Sequence, residues 1–415
     1  MNAHSRIVVL GLGYIGLPTA VVLARAGCRV TGVDVDRRKV EAVNHGALPF
    51  VEPDLDHVLR EVVAAGLLDA TTEPPAADAY IVAVPTPFLE DKTADLSHVL
   101  SAARAIAPKL TGGELVILES TSPPGTAQRM AEEILATNPA LSLDGTDGRS
   151  VIHVAYCPER VLPGRIMTEL VENDRIIGGL TEEAAHRAKG LYERFCRGEL
   201  LLTDAVTAEM AKLTENSFRD VNIAFANELS LICDRLGVDV WRLIELANHH
   251  PRVNVLQPGP GVGGHCIAVD PWFIVSAAPE EATLIRTARQ VNDGKSGYVV
   301  GRAVEAVAGT GASTVAALGL AFKANIDDLR ESPARQIVRD LAGELPDCKV
   351  LAVEPHIEKL PADLAGLSNV ELADAGTAIA AADVILLLVD HDEFRGIDRS
   401  ALDGKRVIDT KGLWR

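Results

Sequence analysis

The first 34 residues carry the pattern that most restricts how this chain can fold. Residues 6–11 (RIVVLG) are mostly apolar and predict a fully buried parallel strand. The glycine pattern GLGYIG at 11–16 then opens a predicted helix to about residue 26, and a second strand at 29–33 ends at Asp34. Strand, GxGxxG, helix, strand and acid in this order are typical of a dinucleotide-binding unit, whereas GxGxxG alone is weak evidence.

The glycines and the acid of this unit also predict which dinucleotide binds. Gly11 would allow the tight turn, Gly13 would admit the pyrophosphate, and Gly16 would let helix and strand pack closely. The helix N-terminus would offer N–H groups and positive dipole to the phosphates. Asp34 would bind the ribose hydroxyls and repel a 2′-phosphate, so we expect NAD rather than NADP.

The alternation of strands and helices continues to about residue 200. Further strands are predicted at 79–84, 114–118, 151–156 and 174–178, with a helix at 181–196. Thr86 and Thr121 follow two of these strands, where the ligand edge of a doubly wound sheet would lie. Both are therefore candidate cofactor contacts, although helix N-capping is an equally good interpretation.

One long helix is predicted next, because Thr203 to about Leu236 contains no proline or glycine and its apolar residues recur at helical spacing. About 33 residues at 1.5 Å each give a length of ~50 Å, most simply a spine between two domains and a dimer surface. Lys212, Asn216 and Arg219 follow i, i+4, i+7 spacing and share one face. A Lys/Asn/Arg face favours anion binding, the alternative being a solvated polar stripe.

A loop rich in glycine and proline surrounds Cys266. The segment 257–272 reads QPGPGVGGHCIAVDPW, and this density of glycine and proline predicts a loop. We expect Gly263 and Gly264 to leave the approach to Cys266 unhindered. Most cysteines outside disulfides are inert and buried, but this loop and the nearby Asp270 favour a nucleophilic thiolate.

A second α/β sheet is predicted after residue 309. Its strands are predicted at 314–319, 348–353, 383–389 and 406–409. It lacks GxGxxG, so we expect it to hold the other substrate, with Lys323 and Arg330 at its ligand edge. The sequence predicts an α/β protein with two Rossmann-like doubly wound domains joined by a long central helix. The predicted domains are 1–200 for NAD, 201–308 for the helices and the Cys266 loop, and 309–415 for the second sheet.

Composition excludes several classes of function. The net charge of −18 argues against nucleic-acid partners and means that an anionic substrate needs a local Arg/Lys cluster. No apolar run is long enough to span a bilayer, and no signal peptide is predicted. Six scattered cysteines without a Cys-x-x-Cys pair favour a cytoplasmic protein without zinc or disulfides. The His249–His250 pair lacks matching ligands, so we expect substrate contact rather than a metal.

The whole chain resembles the UDP-glucose/GDP-mannose dehydrogenase family. The stretches that carry the resemblance run in the family's order from end to end: GLGYIGLPTA, AVPTPF, ILESTSPPGT, YCPERVLPG, KLTENSFRDVNIAFANELSLICD, ANHHPRVNVLQPGPGVGGHCIAVDPWFIV and GLAFKANIDDLRESPA. The resemblance implies a dimer formed through the central helix. It also implies a four-electron oxidation of a sugar C6 alcohol to a carboxylate with two NAD.

The resemblance also implies roles for individual residues. Cys266 stands at the nucleophile position, Lys212 at the acid/base and oxyanion position, and Asn216 at a position that orients water or the oxyanion. Asp270 would assist Lys212, and Glu159 would act as acid/base in hydrolysis. UDP-sugar positions are Arg160, Val161, Lys212, Asn216, Arg219, His250, Arg252, Gly263 and Lys323. NAD positions are Gly11, Gly13, Tyr14, Ile15, Gly16, Asp34, Thr86, Thr121 and Arg330.

Two departures from the family pattern bear on the ligands. Members that oxidise UDP-glucose carry Phe-Pro-Lys-Asp after the cysteine, whereas this chain has IAVD at 267–270. The resemblance implies UDP-N-acetyl-D-mannosamine as the substrate. The alternatives are the same oxidation of UDP-N-acetylglucosamine and, from a different reaction class, a single-hydride β-hydroxyacid dehydrogenase. A product with the N-acetyl-D-mannosaminuronate group would point to surface polysaccharide synthesis. Lys39 replaces an arginine five residues after the ribose-binding acid, which predicts a weaker contact there.

Overall fold

The buried apolar strands near the two ends of the chain form two separate sheets. The computed structural model describes residues 5–50, 52, 54–89, 91–161, 164–264 and 266–415. They fall into two compact units, the first made of Met1–Glu215 and Trp272–Ala277 and the second of Asn216–Pro271 and Ala278–Arg415.

The strands of the first unit form one large sheet and one small pair. They are β1 (Arg6–Leu10), β2 (Arg29–Val33), β3 (Leu68–Thr71), β4 (Ala79–Val82), β5 (Leu115–Leu118), β6 (Leu141–Ser142), β7 (Ser150–Val151), β8 (His153–Tyr156), β9 (Arg175–Gly179) and β10 (Leu200–Asp204). The large sheet has the order β10-β9-β8-β5-β4-β1-β2-β3, and β6 pairs with β7. Neighbours in the large sheet are parallel except β8 and β9, which are antiparallel.

Both faces of the large sheet are covered, which explains why its strands are apolar throughout. Ile7 and Val9 pack into one buried cluster, and Val8 and Leu10 into another. The helices of this unit are α1 (Gly16–Arg25), α2 (Arg37–Asn44), α3 (Leu55–Ala64), α4 (Ser97–Ile106), α5 (Thr126–Thr137), α6 (Ile166–Glu172) and α7 (Glu182–Tyr192). A short 3₁₀ helix, Ala107–Lys109, follows α4. This two-layer burial is that of a doubly wound fold.

The predicted long helix is present as α8 (Ala205–Leu236), which is continuous over 32 residues. It begins slightly later than predicted, because Leu200–Asp204 forms the edge strand β10 beside β9. The Asp204 carboxylate accepts a hydrogen bond from the Thr207 amide in the first turn, which stabilises the start of the helix at that point.

The second unit contains a smaller parallel sheet of order β13-β12-β11-β14-β15. Its strands are β11 (Thr314–Leu318), β12 (Lys349–Val353), β13 (Val370–Leu372), β14 (Val384–Leu387) and β15 (Arg406–Asp409). The remaining helices are α9 (Val240–Ala247), α10 (Asp270–Ala277), α11 (Thr283–Thr310), α12 (Pro333–Glu344), α13 (Ala362–Ala365), α14 (Ala375–Ala381) and α15 (Asp392–Arg395), with a 3₁₀ helix at Arg399–Leu402. The predicted class of two Rossmann-like α/β sheets and a long helix is confirmed.

The segment around Cys266 is a loop only up to Val269. Helix α10 begins at Asp270, inside the stretch predicted to be a loop throughout. Pro271 did not prevent this, because proline is well suited to the first turn, where its missing N–H is not needed. The predicted helices at 279–308 are one continuous helix, α11. None of the helices in the described part of the chain combines the length and apolarity that a membrane span requires.

Candidate active site

The first glycine turn has the shape that a dinucleotide requires. Gly11 has φ +94°, and a Cβ there would overlap the Ala83 carbonyl oxygen. A Cβ on Gly16 would overlap the Gly11 carbonyl oxygen, so both positions require glycine for packing within the protein. A Cβ on Gly13 would meet no heavy atom within 4 Å. The space beside Gly13 therefore remains available for a phosphate, and the turn fits NAD.

Asp34 ends β2 and holds the same turn in place. Its Oδ2 accepts from the Leu12 amide at 2.9 Å and its Oδ1 from the Asp36 amide at 2.9 Å. Lys39 Nζ lies 3.2 Å from Oδ2. The Asp34 side chain is largely buried, at 8% exposed.

The structure brings Thr86 and Thr121 together at the ligand edge of the sheet. Thr86 Oγ1 donates to the Thr121 carbonyl at 2.5 Å. Neither residue caps a helix, because α4 is preceded by Leu96 and α5 by Gly125. Capping is therefore excluded, while the predicted cofactor contact stays a prediction. Two further NAD candidates belong to the glycine turn. Tyr14 is 39% exposed, and its ring stacks on the Phe50 ring with 4.2 Å between centroids. Ile15 immediately precedes α1.

Glu159 is fixed inside the first unit by a charge that sequence reasoning missed. Arg175 Nη2 donates to Glu159 Oε2 at 2.8 Å, and both side chains are nearly fully buried. Glu159 Oε1 also accepts from the Arg160 amide at 2.6 Å. The guanidinium lies over the Tyr192 ring, 4.8 Å from its centroid. An arginine within the apolar strand β9 was the signal that could have revealed this pair, since a buried charge requires a partner.

A second buried carboxylate, Glu119, lies in the same network. Its Oε1 accepts from the Tyr192 hydroxyl at 2.7 Å and its Oε2 from Thr19 Oγ1 at 3.2 Å. Burial raises the pKa of Glu119 to about 7, with the Arg175 charge opposing the shift. Burial also raises the pKa of the Cys157 thiol to about 12, so this cysteine is an inert thiol.

Arg160 and Val161 have intramolecular contacts of their own. Arg160 Nη1 donates to Glu215 Oε1 at 2.6 Å, and its Nη2 donates to the Asp174 carbonyl. Val161 packs against the hydrophobic core of the first unit. A substrate anion would compete with Glu215 for Arg160. The neighbouring Leu162 and Pro163 lie outside the described residues.

The polar face of α8 turns from buried to exposed along its length. Lys212 is 7% exposed and, among the described residues of its own unit, forms no hydrogen bond or ion pair. Asn216 is half-buried and Arg219 is exposed. Since no carboxylate in the described part of its unit pairs with it, the Lys212 ammonium is suited to meet a ligand anion.

Asn216, Asp270 and Cys266 are connected within the second unit. Asn216 Nδ2 donates to Asp270 Oδ2 at 2.5 Å across a separation of 54 residues. The Cys266 carbonyl accepts from the Val269 amide at 3.0 Å and from the Asp270 amide at 2.8 Å. Cys266 is half-buried and Asp270 is buried. The backbone turn therefore joins Cys266 to Asp270, and the side-chain bond joins Asp270 to Asn216 on α8.

The glycines before Cys266 have a different role from the one expected. A Cβ on Gly263 would overlap the Glu331 carbonyl and the Pro333 and Phe322 side chains, and a Cβ on Gly264 would press on the Phe322 ring. These glycines let the loop pack closely against the segment after β11, rather than clearing the approach to Cys266. Residue 265 lies outside the described part of the chain.

The remaining candidates lie on exposed segments. Arg219, His250, Arg252 and Lys323 are all exposed. His250 Nδ1 accepts from the Arg252 amide at 3.3 Å, which orders this turn. Arg330 forms a fork with Asp328, with Nε–Oδ1 at 2.9 Å and Nη2–Oδ2 at 2.6 Å. Their roles towards substrate and NAD stay predictions.

A polar network that the sequence did not indicate supports the cysteine loop. Asn227 on α8 accepts the Gly259 amide at 2.9 Å and donates to Asn292 Oδ1 at 2.9 Å. Asn292 Nδ2 donates to Asp220 Oδ1 at 2.8 Å, and Arg289 Nη1 donates to the same oxygen at 2.6 Å. The start of the loop is thereby attached to both α8 and α11.

Known proteins resemble this chain in sequence and in fold over nearly its whole length. Sequence models of the UDP-glucose/GDP-mannose dehydrogenase family match residues 5–196 (NAD binding domain), 206–294 (central domain) and 316–415 (UDP binding domain). The NDP-N-acetyl-D-galactosaminuronic acid dehydrogenase of Ralstonia nicotianae is 58% identical over 409 residues, covering 98% of this chain and 96% of the relative.

Two further relatives carry a different sugar in their names. The UDP-N-acetyl-D-mannosamine dehydrogenase of Yersinia pestis is 55% identical over 418 residues, 99% of each chain. The solved UDP-D-ManNAc dehydrogenase of Pyrococcus horikoshii superposes with a TM-score of 0.88 at 39% identity, covering 99% of this chain and 96% of that one.

Proposed function

Because this chain belongs to the UDP-glucose/GDP-mannose dehydrogenase family and is an NAD-dependent nucleotide-sugar dehydrogenase, we propose that it oxidises C6 of UDP-N-acetyl-D-mannosamine to a carboxylate. The observation that carries the mechanism is the linked set of Cys266, Asp270 and Asn216 in one unit. The named relatives divide between manno- and galacto-configured N-acetyl sugars, so both belong in the test.

The proposed reaction has two oxidations and one hydrolysis. The chemistry that bound NAD supplies is acceptance of one hydride in each oxidation. Loss of hydride and the hydroxyl proton turns the C6 alcohol into an aldehyde. The Cys266 thiolate then forms a C–S bond to the aldehyde carbon, and the oxygen takes the electron pair. Loss of the second hydride gives a thioester. Water adds to it, the C–S bond breaks, and carboxylate and thiolate result.

Each candidate side chain has a role suited to its surroundings. The Lys212 ammonium, on a side chain that is largely buried and has no carboxylate partner among the described residues of its unit, would stabilise the oxyanion. Asp270 accepts one N–H of the Asn216 amide and so orients the group that would donate to the oxyanion or the hydrolytic water. Glu159, held by Arg175, would accept a proton from that water. The covalent bond to Cys266 would retain the aldehyde between the two oxidations.

The two ligands are assigned to different parts of the chain. We assign NAD to the glycine turn with Asp34, Thr86 and Thr121, and the nucleotide sugar to Arg219, His250, Arg252, Gly263 and Lys323. Arg160 and Val161 would contact the sugar nucleotide, and Arg330 would contact NAD. The division into domains at 1–200, 201–308 and 309–415 is part of this proposal.

Counting NADH per sugar tests the reaction class. UDP-N-acetyl-D-mannosamine and its gluco and galacto counterparts are each supplied in limiting amount with excess NAD. We expect two NADH per molecule of the manno substrate, with the highest kcat/KM. One NADH per sugar would instead indicate a single-hydride dehydrogenase, and a galacto preference would correct the substrate.

Replacing the nucleophile tests its assignment. Cys266→Ser should lower the rate of acid formation by ~100-fold or more, because a serine alkoxide forms far less readily than a thiolate. Cys196→Ser is the matched control, since Cys196 is also half-buried but lies in the first unit. Acid formation at the unchanged rate in Cys266→Ser would refute the covalent mechanism.

The assembly and cellular context are further parts of the proposal. We assign a homodimer formed through α8, a cytoplasmic location, and a product that feeds surface polysaccharide synthesis. Support for the dimer comes from exposed apolar residues at Phe218, Phe225 and Ile232, seven residues apart on one face of α8. No nucleic-acid partner is expected at a net charge of −18.

A further inference from the structure

The two sheets begin with the same loop design. Gly11 follows β1 with φ +94°, and Gly319 follows β11 with φ +93°. In the first sheet, the acid that ends the next strand accepts from the Leu12 amide at 2.9 Å. In the second sheet, the corresponding acid Glu354 accepts from the Leu320 amide at 2.7 Å. The sequence GLAFKA at 319–324 thus occupies the place that GLGYIG has in the first sheet.

The acid of the second sheet is more deeply buried than the acid of the first. The Asp34 side chain is 8% exposed, whereas the Glu354 side chain is 0% exposed. Glu354 Oε2 accepts also from the Ala321 amide at 2.9 Å and from His391 Nε2 at 3.1 Å, while Oε1 accepts from the His356 amide at 3.2 Å. Protein groups therefore bond both oxygens of a carboxylate that has no exposed surface, which fixes Glu354 against the loop that follows β11.

His391 connects this buried acid to the far end of the loop. The ring is 0% exposed, and its Nδ1 accepts from the Asn325 amide at 3.0 Å. Because Nδ1 accepts, the neutral ring carries its proton on Nε2 and donates it to Glu354. Asn325 has φ +62°, and its side chain is bonded twice to Asp392, at 2.9 Å and 3.0 Å.

A metal at this cluster is disfavoured by the same bonds. Glu354, His356 and His391 have ligand atoms within 4.8 Å of one another, a spacing compatible with a metal ion. However, metal binding at Nε2 of His391 would displace the proton donated to Glu354 and move it to Nδ1, against the Asn325 N–H. The bonds therefore describe a structural lock rather than a ligand set.

We propose that Glu354 and His391 are positioning residues that preform the loop 320–325 and thereby set the affinity for the nucleotide sugar. Lys323 is exposed within this loop, between the amides of Leu320 and Ala321 and that of Asn325, all held by the pair. The inference rests on the proposed function, in which Lys323 contacts the nucleotide sugar. The acid that holds a cofactor turn in the first sheet holds a substrate loop in the second.

Two variants of His391 separate its two bonds. His391→Gln places an amide N–H near the former Nε2 and loses the acceptor for Asn325, whereas His391→Asn keeps an acceptor near the former Nδ1. We expect His391→Gln to raise KM for the nucleotide sugar ~5- to 10-fold, as for loss of one hydrogen bond. His391→Asn should keep a KM for the nucleotide sugar close to that of the wild type. The KM for NAD and kcat at saturating sugar should not change in either variant.

Lys323→Met separates this inference from the proposed function. If Lys323→Met raises KM for the sugar and His391→Gln does not, the positioning role is wrong. If Lys323→Met has no effect, the assignment of Lys323 to the substrate is wrong, and the inference about its loop falls with it. A chelator that raises the wild-type KM as His391→Gln does would reveal a metal site and overturn the lock.

Hydrogen exchange on the wild-type enzyme tests the lock without a variant. In the absence of ligands, the amides of Leu320, Ala321 and Asn325 should exchange slowly, because all three are hydrogen bonded. Rapid exchange that slows only when the nucleotide sugar is added would show that the loop is not preformed and would overturn the proposal.

Discussion

At the scale of single residues, Glu119 is a carboxyl group whose surroundings strongly raise its pKa. It follows the apolar strand β5 and is 1% exposed, with Tyr192 and Thr19 as hydrogen-bond donors. Burial raises its pKa from 4.5 to about 7. The folded chain therefore holds this proton more tightly than the unfolded chain, and the stability that it contributes is lost as the pH rises from about 4.5 to about 7.

Glu119→Gln should stabilise the protein at alkaline pH only. The amide keeps the size of the side chain and removes the buried charge, so the variant should match the wild type at low pH. Above the pKa of about 7 it should exceed the wild type by up to about 3 kcal/mol. Urea unfolding at a series of pH values measures this. Exposed Glu73→Gln is the control, and a pH-independent difference would contradict the raised pKa.

The residue scale also shows where sequence reasoning stopped. Cys266 and Lys212 could be identified from their local sequence and family resemblance. Arg175 and Glu119 could not, because their significance comes from burial beside Glu159, Tyr192 and each other. A charged residue in an apolar strand indicates that a partner exists. It does not indicate which residue the partner is.

At the scale of elements, the contact between α8 and α11 includes a buried ion pair. Arg289 and Asp220 are 2% and 0% exposed, and Arg289 also contacts Asp293, which is 51% exposed. Burial raises the pKa of Asp220, with Arg289 opposing the shift. The same arginine thus has one buried and one exposed carboxylate partner, which provides a matched comparison.

Asp220→Asn should cost about 3–5 kcal/mol of unfolding free energy, because it leaves the buried guanidinium without its buried countercharge. Asp293→Asn, the same chemical change at the exposed partner, should cost under about 1 kcal/mol. Urea unfolding of both variants measures the difference. Equal costs would mean that burial does not govern this pair.

Local patterns predicted the elements better than their contacts. The period of apolar residues in α8 and the strands at both ends of the chain were visible in the sequence. The strand β10 before α8 was not, since the same residues could begin a helix and only the neighbouring strand β9 provides their hydrogen bonds. The first turn of α10 was hidden by Pro271, which fits a helix start as well as a loop.

At the scale of the whole molecule, the exposed apolar residues of α8 predict self-association. Phe218, Phe225 and Ile232 are 68%, 51% and 47% exposed, and Leu236 extends the stripe at 68%. Residues at this spacing share one face of a helix, and such a face is typically buried in an oligomer.

Phe225→Glu should convert the predicted dimer into a monomer by placing a charge in the middle of the stripe. Light scattering coupled to size exclusion measures the mass of each species. Leu284→Glu is the matched control, because Leu284 is 68% exposed but lies on α11. A wild-type monomer, or a variant that keeps the wild-type mass, would contradict the prediction.

By itself the sequence determined the two α/β sheets, the long helix, the NAD turn and the candidate nucleophile, because each is encoded by residues close together in the chain. Only the tertiary structure decided the pairs that hold the site. Arg175–Glu159, His391–Glu354 and Asn216–Asp270 join residues 16, 37 and 54 positions apart. Such pairs form because burial removes water as the competing partner, and burial is a property of the folded chain rather than of any local pattern.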